Sequence, residues 1–398
     1  MELPLALLAD QASFTNSTEL VYHCIATASA RGEAISSLAC VGEELYSATL
    51  GDGVRKWGLP ELAPLDTFAA NGEGSCAVKA ILLEKDRVFT AHQDHRIRVW
   101  KRRAVVSSEG RTTHRLIATL PNLRTRLWKS LSQKNYVQVR RHHRALWIEH
   151  VDTISTLAIA KKSGVLYSAS WDKTVKVWKS STLECVESIP AHDDAVNALV
   201  VCDRSETIYT GSADGKIKAW RRGHLNVKRH SLLASLEGAH EQNASIHALA
   251  LSDGGDFLYA AGSDCKMTVW GRWKTEQHVS KMIYKLQKCH AQAILCLSTS
   301  THEGQQLLVS GSADKTINLW QADLRSGVIN CLLVLQGHSA PVKSICTVPL
   351  SRDQLVIGGA FLLVCSGSAD RTIKAWLVSK WGSATLDYQL SAEDQRSL

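Results

Sequence analysis

Several catalytic signatures are missing from this chain. No glycine-rich loop precedes a strand lysine, and neither HRD nor DFG occurs, which leaves kinase chemistry without residues. His302-Glu303 has no second histidine at metalloprotease spacing, and GSADGK at 211–216 is one residue short of a phosphate loop. The eleven cysteines form no C-x-x-C pair and no His/Cys cluster at zinc spacing. They read as small buried apolar side chains in a reducing compartment, and no metal or cofactor is expected. No apolar run approaches the length of a membrane span. The N-terminal MELPLALLAD carries Glu2 in place of a basic leader segment, so no secretory leader is expected and the cytoplasm, the nucleus or both remain.

What the chain does have is a recurrence. Seven times a short strand of alternating character closes on a tryptophan, at Trp57, Trp100, Trp178, Trp220, Trp270, Trp320 and Trp376. An apolar residue stands three places before each and a polar one two before, as in Val175-Lys176-Val177-Trp178 and Ile217-Lys218-Ala219-Trp220. A period of two means β-strand. Repeats of this length, each unable to bury both faces alone, predict an all-β, seven-bladed propeller built by stacking blades around a ring.

Six residues before the tryptophan stands an aspartate in six units: Asp94, Asp172, Asp214, Asp264, Asp314 and Asp370. Ten before it, five of those units carry a hydroxyl (Thr90, Ser168, Thr210, Ser310, Ser366), and five carry an upstream histidine (His150, His192, His240, His290, His338). In this arrangement the chain resembles the WD40 repeat family. The resemblance implies a hydrogen-bonded tetrad in each complete unit: His150, Ser168, Asp172 and Trp178; His192, Thr210, Asp214 and Trp220; His290, Ser310, Asp314 and Trp320; His338, Ser366, Asp370 and Trp376. The chemistry permits it, because an imidazole can bond a carboxylate with one nitrogen and a hydroxyl with the other. One His-Ser-Asp set would suggest a nucleophilic triad, but a set repeated in every complete blade argues for structure, and no catalytic residue is expected. Unit five has Ala260 in place of the hydroxyl, unit two lacks the histidine, and unit one has Gly51 in place of the aspartate. Those blades are expected to be softer.

Trp100 and Trp178 lie 78 residues apart, where the other intervals run from 42 to 56. A hidden eighth blade would need tight turns, yet no glycine occurs from Arg111 to Ser163 and no aspartate from His95 to Val151. The sequence therefore predicts an insert at 121–149, after an outer strand at His114–Leu120, with helix formers at Arg124–Ser132 and an extended YVQV. Residues 101–149 hold twelve Lys plus Arg against Glu109 and Glu149, a net +10 in a chain of net +8. The basicity of the protein is this one segment. Arg124, Arg126, Lys129, Arg140, Arg141 and Arg144 are candidate partner contacts, suited to an acidic protein surface, with RNA as the alternative because Trp128, Tyr136 and Trp147 are interleaved. The structural reading makes Trp128, Leu146 and Trp147 anchors and pairs the arginines with loop acids such as Asp152, Asp193 and Asp194. Before the turn aspartates stand Gln93, Trp171, Ala213, Ser263, Ala313 and Ala369; Trp171, with Gln93, is a candidate contact, and packing under the insert is its competing role.

The segments NYVQVRRHHRALWIEHVDTISTLA and GVLYSASWDKTVKVW, with the HQD turn at His92–Asp94, narrow the resemblance to plant JINGUBANG-like WD40 proteins. That resemblance implies a non-catalytic, monomeric scaffold for protein–protein interactions in plant signalling or transcriptional regulation. A ubiquitin-ligase substrate receptor is the further alternative, though the residues after the blade tryptophans make no WD-x-R box. The propeller is expected over 20–376, with 20–28 or Thr385–Leu390 supplying the last outer strand, a loosely ordered 1–19 and a tail at 377–398.

Overall fold

Alternating burial along short strands accounts for almost the whole architecture. The computed structural model describes residues 20–30, 33–51, 53–69, 77–104, 112–140, 143–223, 229–236, 244–272, 280–286, 289–322, 329–350 and 360–380. Seven four-stranded antiparallel sheets form the blades. In chain order they cover 35–68, 78–120, 154–190, 196–236, 246–286 and 294–335, with the seventh built from 342–380 and the N-terminal strand β1 (Leu20–Ser29). The innermost strand of each blade lies beside that of the next, and blade seven's lies beside blade one's. Among the described residues, no helix is long and apolar enough to cross a membrane.

The core is divided into seven clusters, one at each seam between neighbouring blades. Each seam contains the repeat tryptophan of one of its two blades: Trp178 packs on Phe89 and Val99 of blade two, and Trp376 on Val309 and Leu319 of blade six. Both rings are 1% exposed. Removing such a ring costs roughly 3–5 kcal/mol. Cys202, Cys289, Cys346 and Cys365 are buried within these seams.

Every innermost strand carries a bulge after its first residue, at Ser36, Lys79, Ser155, Asn197, His247, Leu295 and Lys343. A bulge re-aims the extra residue. Three of the seven use that to bond the next blade: Ser36 Oγ donates to the Val78 carbonyl (2.5 Å), Ser155 Oγ to Val196 (2.6 Å) and Asn197 Nδ2 to Ile246 (3.1 Å).

The ring closes through β1, which pairs antiparallel with the last strand, β2 (Thr372–Lys380), from Leu20 opposite Lys380 to Ser29 opposite Thr372. Tyr22 meets Trp376 edge to face, 6.0 Å between centroids. Residues 377–380 thus belong to a strand and not to a tail, because β1 gives them a partner. The alternative strand at Thr385–Leu390 and the segment 1–19 lie outside the described residues.

Candidate functional site: the turn face and its insert

The complete tetrads form in four blades. In blade three the Trp178 indole donates to Ser168 Oγ (2.9 Å), which also meets His150 Nε2 (2.8 Å), while His150 Nδ1 meets Asp172 Oδ2 (2.8 Å). Blades four, six and seven repeat this with hydroxyl-to-imidazole distances of 2.8, 2.8 and 2.7 Å. Burial pushes all four histidines below their ordinary pKa and keeps them neutral, against the pull of the carboxylates. Ser168, Thr210, Ser310 and Ser366 are fully buried. Each is shared between an indole and an imidazole, so none is presented to a substrate.

The aspartates also have a local role. The residue after each adopts a left-handed conformation: His95, Lys173, Gly215, Cys265, Lys315 and Arg371, with φ of 60 to 77°. The carboxylate accepts from the backbone N–H two residues on, for example from Thr174 (2.9 Å) and from Arg96 (3.2 Å). This Asx turn needs no histidine, which explains why Asp94 and Asp264 stand in blades without a complete tetrad.

Blade two has no upstream histidine, and a histidine of its own second strand meets the hydroxyl instead. His92 Nε2 meets Thr90 Oγ1 (2.8 Å), Thr90 accepts from Trp100 (2.9 Å), and Arg98 takes the carboxylate of Asp94 (2.7 Å). In blade five, where Ala260 removes the acceptor, the Trp270 indole turns to Thr268 Oγ1 at 3.3 Å; His240 lies outside the described residues. Blade one keeps the indole-to-Ser47 bond (2.8 Å).

The insert rises from the same face, between the outer strand of blade two (Thr112–Leu120) and the inner strand of blade three. Helix α1 (Leu123–Ser130) is capped by Asn122, whose side chain accepts from Thr125 N–H (2.7 Å). A hairpin follows, Tyr136–Arg140 against His143–Leu146. Asn135 ties the two together: its amide donates to the Lys129 carbonyl (2.8 Å) and its carbonyl oxygen accepts from the Trp147 indole (3.3 Å). The insert is held down by Ala145, Leu146 and Ile148, all buried, and by Lys176 Nζ on the Trp147 carbonyl (2.7 Å).

The expected anchors therefore divide. Leu146 packs and Trp147 is half-buried, whereas Trp128 is 75% exposed because the helix turns its other side to the propeller. The cations divide as well. Arg126 pairs with Glu149, and Lys129 sits over the Trp147 ring at 5.4 Å. Arg124 and Arg144 are exposed and form no ion pair with the described residues, while the side chains of Arg140 and Arg141 lie outside them. Asp193, one of the loop acids expected to pair with the insert, meets Lys216 instead (3.4 Å).

Trp171 is 41% exposed, with Lys79 over its ring at 5.4 Å. Its ring partner is thus a cation of blade two's innermost strand. Gln93 is exposed on the same face and holds the Ala77 carbonyl through its backbone N–H (3.0 Å). A cavity of about 650 Å³ lies between this face and the insert, lined by Asp94, Arg96, Arg126, Glu149 and Asp152 among others. No group of three or more His, Cys, Asp or Glu suited to a metal occurs among the described residues.

Comparison with known proteins agrees with this geometry. A stretch of 44 residues is 43% identical to the ribosome biogenesis protein BOP1 homolog of Culex quinquefasciatus, covering 11% of this chain and 5% of that protein. The WD domain, G-beta repeat, matches residues 143–179, 183–221, 230–271, 280–321 and 329–376, five of the seven blades and more than half the chain. With those matches, the seven sheets and the four tetrads together, the chain belongs to the WD40 repeat family.

Proposed function

We propose that the protein is a non-catalytic scaffold that binds other proteins through its turn face, with the insert as the main docking element. The observation that carries this reading is the division of roles just described: the tetrads are internal, while a basic helix and hairpin project from the face with Arg124 and Arg144 in no ion pair with the described residues. WD40 propellers generally bind proteins in this way, and carboxylates on a partner suit Arg124 and Arg144. The RRH-x-x-ALWI block supports a finer placement among plant JINGUBANG-like proteins, acting in signalling or transcriptional regulation in the cytoplasm, the nucleus or both.

A second reading is favoured by one observation. The short stretch like a ribosome biogenesis protein, beside a basic insert with exposed Trp128 and Tyr136, suits an RNA-associated propeller. Tagged protein purified from plant extract with and without nuclease separates the two. Specific co-purifying proteins that survive nuclease and are lost when Arg124, Arg144 and Trp171 are replaced support the scaffold; proteins lost on nuclease treatment alone support the RNA reading.

A further inference from the structure

Helix α1 is amphipathic in the wrong direction for a surface helix. At about 100° per residue, Leu123, Leu127 and Leu131 fall within an arc of roughly 80°, and Trp128 lies about 60° further round, beyond Arg124. Such an apolar arc normally packs on the core. Here those residues are 67%, 60%, 81% and 75% exposed, and no residue of α1 is buried. The side turned inward is the polar one, with Arg126 on Glu149 and Lys129 over Trp147. Beside the apolar side runs a groove of about 360 Å³ between α1 and the hairpin, floored by Leu146 and walled by Leu127, Tyr136 and Arg144. Exposed apolar side chains gathered beside a groove in this way mark a binding site.

We infer that α1 and the hairpin seat an acidic amphipathic helix of a partner protein, its apolar side chains in the groove and against Leu131 and Trp128. The inference rests on the scaffold reading and names the partner's chemistry. Charge chooses this occupant. Arg124, on α1 between Leu131 and Trp128, and Arg144, in the groove wall, have no ion pair among the described residues, and the only carboxylate of the insert, Glu149, is engaged by Arg126. Carboxylates that answer these cations must come from the partner. A second copy of this chain would set one strongly basic segment against another, which like-charge repulsion opposes. Along α1 and the groove the described rings are Trp128 and Tyr136, while the three leucines offer nothing on which a base can stack. A helix with apolar residues at i, i+3 or i+4, and i+7 fills such a groove.

The test pans the full chain against a displayed library of helical peptides and measures the affinities of the selected peptides by fluorescence anisotropy. The expected peptides carry Leu, Phe or Trp at helical spacing and a net negative charge. They lose about tenfold or more in affinity for Leu127→Ser/Leu131→Ser and for Arg124→Ser/Arg144→Ser, and bind Trp171→Ala unchanged. All these side chains are exposed, so the variants keep the parental melting temperature, which is measured alongside. Selected peptides that bind both double variants normally, or that depend on Trp171, overturn the inference and leave the turn face as a docking surface. If neither α1 nor Trp171 affects any selected peptide, the scaffold reading of this face falls too. Anionic vesicles and a uridine oligonucleotide serve as separate probes: binding of either that Leu127→Ser/Leu131→Ser abolishes, without a selected acidic peptide, overturns the inference in favour of a membrane or an RNA.

Discussion

The hydroxyl of each tetrad is the residue on which most depends, because it answers two buried groups at once. Ser168→Ala orphans the Trp178 indole and the His150 imidazole together. Each unsatisfied buried group costs about 1–3 kcal/mol, so urea denaturation is expected to show a loss of roughly 2–5 kcal/mol. Ser47→Ala orphans only the Trp57 indole and should cost less than half as much. Equal losses would show that the imidazole bond contributes nothing. The same residues set a pH dependence. Burial holds His150, His192, His290 and His338 below the ordinary value of 6.5, so the unfolded chain takes up protons that the folded one refuses. Their stabilisation is complete above that value and is lost as pH falls beneath it. Burial also opposes ionisation of Asp370, but hydrogen bonds from Thr372 and His338 outweigh it and bring the carboxyl to about 2. Asp172, Asp214 and Asp314 are lowered too, and these carboxylates add a second loss as pH drops below 3.8. Thermal melts should therefore decline from about pH 6.5 downward, and equal melting temperatures at about pH 7.5 and pH 5 would refute it. These spacings were readable in the sequence because a repeat displays them several times. His92 was not, since it occurs once and replaces a residue that normally arrives from another strand.

Among the elements, β1 and α1 are opposites. β1 covers the edge of β2 and packs Tyr22 on Trp376, so its value lies in closing the ring. Deletion of residues 1–30 is expected to lower the melting temperature sharply and to promote edge-to-edge association; an unchanged melt would remove β1 from the closure. α1 adds nothing to the core, and Leu127→Ser/Leu131→Ser should stay within about 0.5 kcal/mol of the parent. What holds α1 in place is Asn135, through Lys129 and Trp147. Asn135→Ala should raise amide exchange in 127–131 while the global melt hardly moves, and unchanged exchange would locate the attachment elsewhere. The sequence announced the insert by its missing glycines and aspartates and by its charge. It did not announce which side of α1 faces out: helix-forming residues and an apolar arc read alike whether the arc meets a core or solvent, and the deciding contact, Arg126 with Glu149, spans 23 positions.

At the scale of the whole molecule the core is a circle of seven seams, and its cooperativity should follow the polar links within the blades. Among the described residues, blade one has the indole-to-hydroxyl bond without an imidazole on that hydroxyl and blade five a longer indole bond, whereas three, four, six and seven are fully linked. Native-state hydrogen exchange is expected to open 44–58 and 257–272 before 165–179. Uniform exchange around the ring would mean that the seams, and not the tetrads, set local stability. The seven-fold architecture was legible because every blade repeats its tryptophan, while the surface that distinguishes this propeller occurs once and so has no internal copy to reveal it.

The pairing of β1 with β2 has a geometric consequence. Ser29 and Thr372 lie beside the turn that carries Asp370, while Leu20 and Lys380 lie at the far end of the same two strands, some nine residues or about 30 Å away. The chain therefore enters and leaves the ring side by side, on the side away from α1. A tether joined to the chain at Leu20 or at Lys380 itself therefore leaves from the side away from the insert, and α1 stays turned toward solution.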